Sequence, residues 1–151
     1  MTDATFQFAS VSHLDAAPDR VFDALREPEH WDRWWPQIRH IQPYDDESGL
    51  VVIRSLLPVT LRVVVTRQVV DPDGGVLRAG LTGDLTGWSQ FVVRREGRGT
   101  HLDYTQECAV TKRRLGRAAQ ALRPVLLVNH AAMMRAGMRG LQSYASSSGT
   151  T

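Results

Sequence analysis

The stretch Arg123–Leu141, "RPVLLVNHAAMMRAGMRGL", decides how the rest of the chain is read. It holds no acid and, past Pro124, no turn signal, so it reads as a long helix. The expected helix covers 113–145, with Pro124 kinking it or starting a new segment. At about 100° per residue, Leu122, Leu126, Asn129, Met133, Ala136, Gly140 and Tyr144 share one side. His130 falls on the flank of that stripe, with Leu141. Gly137 and Gly140 each weaken helix propensity by about 1 kcal/mol, yet they let the helix lie close against a sheet.

Upstream of this helix the pattern is β. "LVVIRSLL" (50–57), "VTLRVVVTRQVV" (59–70), "GVLRAGL" (75–81), "WSQFVVRR" (88–95) and "THLDYTQECAV" (100–110) are rich in branched and aromatic residues. "DDESG" (45–49), "DPDGG" (71–75) and "EGRG" (96–99) mark the clearest hairpin turns. Connections this short leave no room for crossover helices, so the sheet is antiparallel. Nearer the N-terminus, "TFQFASVSHLD" (5–15) reads as a first strand. Pro18 then opens a helix carrying Val21, Phe22 and Leu25 at helical spacing. "HWDRWWPQI" (30–38) packs three tryptophans together, and at least two of those rings should be buried. The order is one strand, two short helices, about six strands and one long helix. A single helix cannot cover a curved sheet of that size, so the two should enclose a cavity. The fold class is α+β, in one domain over 1–145 followed by a disordered tail, 146–151.

Three segments together resemble the START-like, polyketide cyclase/dehydrase (SRPBCC) superfamily. "APDRVFDALREPEHWDRWWP" (17–36) is similar to its proline-started first helix and tryptophan-rich second one. "LTGDLTGWSQFVVRREGRGTHLDYTQE" (81–107) resembles two of its late strands. "LRPVLLVNHAAMMRAGMRGL" (122–141) looks like its closing helix, in a bacterial branch with an Asn-His pair. The resemblance spans about residues 5–145. It implies a helix-grip fold, a curved sheet wrapped around the C-terminal helix with an internal cavity. It also implies cyclases, lipid carriers and hormone receptors as functional kin. In family cyclases an arginine and a tyrosine lining the cavity are proposed to orient the polyketide. Arg54, Arg62 and Tyr104 are the candidates here.

Composition and motifs narrow the chemistry. The chain has 151 residues and one cysteine, Cys108, which excludes an internal disulfide framework and a cysteine metal site. No basic-then-apolar leader is visible and no apolar run approaches the ~18 residues of a membrane span, so a reduced cytoplasmic protein is expected. The net charge of +2 is unevenly spread. Seven basic residues and no acid follow Glu107. Without interleaved aromatics that segment does not read as a nucleic-acid surface, and it leaves contact with an anionic membrane open. The five histidines are scattered, with no metal-ligand spacing; no metal and no cofactor is expected. No P-loop, dinucleotide fingerprint or serine elbow is present.

Residues for ligand contact come from strand alternation. Leu102, Tyr104, Gln106, Cys108 and Val110 share one face, opposite the wet set His101, Asp103, Thr105 and Glu107. Trp88, Gln90 and Val92 share a face and are assigned inward. Arg54 is an inward candidate if Val52 and Leu56 point inside. Arg62 reads as a surface residue. Trp31, Trp34 and Trp35 pack as core or form an aromatic wall against the ligand, and Asn129 and Met133 face the cavity from the helix. Tyr104 and His130 are the catalytic candidates: imidazole titrates near neutrality and a phenol can donate to an enolate. The partner is a small apolar or aromatic molecule, and the function reads as polyketide cyclase/dehydratase-like, or as a carrier or sensor of an apolar ligand. The edge strands and the tryptophan cluster could both support a homodimer.

Overall fold

The computed structural model describes residues 5–54, 59–111, 118 and 121–147. The elements in chain order are β1 (Thr5–Leu14), α1 (Pro18–Leu25), a 3-10 segment (Pro28–Arg33), β2 (Ile38–Pro43), β3 (Ser48–Arg54), β4 (Thr60–Asp71), β5 (Val76–Gly83), β6 (Leu85–Glu96), β7 (Gly99–Val110) and α2 (Arg123–Ser147). All seven strands form one antiparallel sheet in the order β1-β7-β6-β5-β4-β3-β2. The first strand therefore pairs with the last, and the others follow as a meander. β2 is not distinguished in the sequence, because "IRHIQP" carries few strand formers.

Turn chemistry accounts for the hairpins. Between β2 and β3, Asp45 Oδ1 accepts hydrogen bonds from the amides of Glu47 (2.8 Å) and Ser48 (2.7 Å). Between β4 and β5, Asp71 Oδ1 accepts from the Gly74 amide at 3.1 Å. The sheet curls where its ladder is interrupted. Register shifts occur in β2 between Ile38 and His40 and in β4 between Arg67 and Val69. In β6, Gly87 adopts φ 154°, and a Cβ there would lie 2.0 Å from the Glu107 carbonyl oxygen.

Helix α2 closes the concave side. A turn at residues 121–122 precedes α2, which starts at Arg123 with Pro124 in second position, so the segment opens at the proline instead of running through it; residues 113–117, 119 and 120 of the expected helix lie outside the described set. The helix runs through Ser147, two residues beyond the expected end, and the remainder of the expected tail, 148–151, is likewise undescribed. Three contacts fix its position. The Arg123 guanidinium donates to the Thr5 carbonyl (3.0 Å) and sits over the Phe6 ring. The Trp35 indole donates to the Met133 carbonyl at 3.0 Å. Gln142 Oε1 accepts from the Asp15 and Ala16 amides.

The two helix glycines serve the tryptophan segment, not the sheet. A Cβ on Gly140 would lie 1.7 Å from the Trp34 carbonyl oxygen, and one on Gly137 would lie 2.5 Å from Trp35 Nε1. This close seat turns the helix. Its buried positions are Met134, Gly137, Met138, Leu141 and Ala145, roughly a quarter turn from the stripe expected in the sequence. The amphipathic reading missed this because apolar residues occur nearly all round this helix. Among the described residues, no helix is long and apolar enough to cross a membrane.

Candidate functional site

A cavity of about 160 Å³ lies between the concave face of the sheet and the N-terminal half of α2. Its walls are almost wholly apolar. Phe6 and Phe8 of β1, Val51 and Ile53 of β3, and Leu61, Val63 and Val65 of β4 supply much of one side. Phe91, Leu126, Met133, Met134 and the rings of Trp31 and Trp35 supply much of the rest. Among the described lining residues none is Asp, Glu, Lys or Arg.

Into this surface β7 projects a polar ladder. Two-residue spacing puts Tyr104, Gln106 and Cys108 on the same face, and all three are buried. The Tyr104 hydroxyl donates to Gln106 Oε1. Gln106 Nε2 donates to Cys108 Sγ at 3.2 Å. From α2, His130 Nε2 approaches Gln106 Oε1 at 3.3 Å. An amide oxygen only accepts, so Nε2 carries the ring proton and the basic lone pair is left on Nδ1. The imidazole also stacks on Phe8, with ring centres 3.5 Å apart and planes within 10°. The Tyr104 ring lies 4.9 Å from Phe91 and 6.1 Å from His130.

Desolvation sets the protonation states. Burial penalises the imidazolium and pushes the His130 pKa down to about 4. His130 is therefore neutral at pH 7. Burial, and to a lesser degree the neighbouring Cys108, pushes the Tyr104 phenol far above its ordinary value, so it stays protonated. Burial also raises the Cys108 thiol, opposed by the bond from Gln106. The ladder is a set of neutral donors and acceptors in an apolar chamber.

Of the residues singled out in the sequence, Tyr104, Gln106, Asn129, His130, Met133 and Trp35 line this cavity. His130, expected on the flank, sits well inside the helix face turned to the sheet, and it is His130 that meets Gln106. Four others lie elsewhere. Trp34 is buried, but it stacks on Trp35 and packs beneath Gly140 instead of lining the chamber. Arg54 is exposed, because the strand register puts Val51 and Ile53 inside; Arg62 is exposed too, as expected. Trp88 and Gln90 point outward. In the β6–β7 ladder Trp88 pairs with Glu107 and Gln90 with Thr105, whereas Ser89 and Phe91 pair with inward-facing Gln106 and Tyr104. Directly opposed residues share a face, so register overrules composition. Trp88 instead carries the Arg78 guanidinium 4.1 Å above its ring. Phe8 and Phe91 line the cavity and were missed as ligand contacts, whereas Trp31, one of the aromatic-wall candidates, lines it too. The alternation of Phe6 and Phe8 was the available signal for the first.

A family model, "Polyketide cyclase / dehydrase and lipid transport", matches residues 5–146. The chain belongs to this family. Solved structures sharing its fold are distant in sequence. TTHA0849 from Thermus thermophilus is 15% identical, covers 96% of this chain and 100% of its own, and superposes with a TM-score of 0.83. The Zhui aromatase/cyclase from Streptomyces sp. R1128 is 11% identical over 95% of this chain and 94% of its own, with a TM-score of 0.75. Truncated norcoclaurine synthase from Thalictrum flavum is 11% identical over 91% and 93%, with a TM-score of 0.64. No curated protein sequence matches the chain. At these identities the structures establish the helix-grip fold, the curved sheet with its C-terminal helix. Family membership supports a ligand-binding role.

Proposed function

We propose that this protein binds a hydrophobic or aromatic small molecule, polyketide- or lipid-like, in the sheet–helix cavity and acts on it as a cyclase/dehydratase. The observation that carries the reading is the Tyr104–Gln106–His130 cluster, a hydrogen-bonded polar group in a largely apolar chamber. Apolar walls fold and desolvate the chain of a poly-ketone, and the polar cluster receives a carbonyl oxygen. A proton on carbon between two carbonyls passes to the His130 lone pair. The enolate carbon attacks a second carbonyl, and Tyr104 gives its proton to the alkoxide that forms. Loss of that hydroxyl with a neighbouring hydrogen, as water, leaves a double bond, and exchange with solvent restores both side chains. With a pKa of about 4, His130 is a weak base, so the substrate must bring an acidic C–H and folding it is much of the catalysis.

A second reading is a carrier or sensor that shelters the same class of molecule unchanged. It is favoured by the uncharged lining and by the low basicity of His130. Native mass spectrometry of protein purified from its source identifies what the cavity holds. Turnover of a poly-β-ketone by wild type, His130→Ala and Tyr104→Phe then separates the readings. Loss of cyclised product in both variants with ligand retained supports the enzyme. Binding without turnover in all three supports the carrier.

A further inference from the structure

On the outer face of the sheet, away from the cavity, three strands bring two histidines and a carboxylate together. His13 of β1 pairs directly with His101 of β7, and Glu96 closes the end of β6 beside them. One ligating atom from each of the three lies within 4.8 Å of the others. His13 Nδ1 is 2.6 Å from Glu96 Oε2, and His101 Nδ1 is 3.8 Å from the same oxygen. The two imidazoles meet edge to face, with ring centres 5.3 Å apart. In sequence these groups are remote, with Glu96 lying 83 positions after His13, so no ligand spacing announces them.

We propose that His13, His101 and Glu96 bind a divalent first-row transition-metal ion, with zinc as the representative. Two imidazoles and one carboxylate suit such an ion, and positions beyond these three stay open to water. Around a tetrahedral zinc the ligating atoms stand about 3.3 Å apart. The observed separations bracket that value, and the half-exposed His13 and Glu96 side chains are free to adjust. A second layer is already in place. His101 Nε2 lies 3.2 Å from Asp103 Oδ1, and the other Asp103 oxygen accepts a 2.6 Å hydrogen bond from Arg94. Asp103 thus holds the proton on Nε2 and leaves the His101 Nδ1 lone pair facing Glu96, as carboxylate–histidine–metal arrangements require. Its pairing with Arg94 also offsets the charge of that cation beside the site. The bound ion would tie together strands β1, β6 and β7 without entering the cavity.

Isothermal titration of zinc chloride into the full chain tests this, with thermal melting alongside. One ion per chain is expected, with a rise in Tm on zinc addition. His13→Gln, His101→Gln and Glu96→Gln should each weaken binding tenfold or more and remove the Tm rise. Asp103→Asn should weaken it about tenfold, the lower end of what second-layer partners contribute. The double variant His30→Gln/His40→Gln should bind as wild type. Circular dichroism of each variant confirms the fold, and the ring shifts of His13 and His101 on zinc addition give a readout in unaltered protein. Binding that survives His13→Gln and His101→Gln, binding that is lost with His30 and His40, or no saturable binding up to about 1 mM zinc would overturn the proposal.

Discussion

Acid should destabilise this protein through His130, and the size of the effect follows from its surroundings. The folded imidazole has its pKa pushed down from 6.5 to about 4 by burial. Above pH 6.5 the side chain is neutral in both folded and unfolded states and contributes nothing. Between 6.5 and 4 the unfolded chain takes up a proton that the folded one refuses, so stability falls as pH falls. At pH 5 the loss is about 2 kcal/mol, and it levels off near 3 kcal/mol below pH 4. Carboxylates held below their usual range, such as Asp103 beside Arg94, lose their contribution only at lower pH, as they protonate. The comparison variant is His130→Gln, which keeps an amide donor for Gln106 and does not titrate. Urea unfolding of both proteins between pH 7.5 and 4.5 measures the difference, because the rest of the chain is the same in both. Wild type should lose about 2 kcal/mol more than the variant between pH 7.5 and pH 5. Parallel pH profiles would refute the burial of His130 as its neutral form, and with it the assignment of a neutral base in the cavity.

Other consequences are more local. Gly140→Ala should lower stability by at least about 2 kcal/mol in thermal melts, since its methyl group would meet the Trp34 carbonyl at 1.7 Å and backbone must shift. Thr100→Val should cost about 1–2 kcal/mol in urea unfolding, because the buried hydroxyl that donates to the Ala16 carbonyl at 2.8 Å is lost with no water to replace it. Val63→Phe, which fills the cavity from β4, should abolish retention of a co-purified apolar ligand in native mass spectrometry while the folded spectrum persists.

Asn129 and His130 show how far a one-dimensional reading carries. Both were visible as polar residues in an apolar helix, and both do line the cavity. Which of them faces β7 was not legible. Apolar residues surround this helix, so periodicity does not pick one face; the seat of Gly137 and Gly140 on Trp35 and Trp34 sets the rotation. The same limit explains β6. "WSQFVVRR" is apolar on both alternations, and only pairing with β7 turns Phe91 inward and Trp88 out. β7 itself was legible in full, since its charged residues all fall on one alternation.

Local interactions and binary patterning act within a few residues, and they are sufficient for the order of the elements apart from β2, the antiparallel meander, the turns at 45–49, 71–75 and 96–99 and the inward set Tyr104, Gln106 and Cys108. Quantities that depend on contacts between distant segments were left to tertiary structure. The Gln106–His130 contact, the depressed basicity of that histidine and the meeting of His13, Glu96 and His101 all arise there. Each depends on register between strands or on the rotation of a helix, and these are settled by packing that joins residues far apart in the chain.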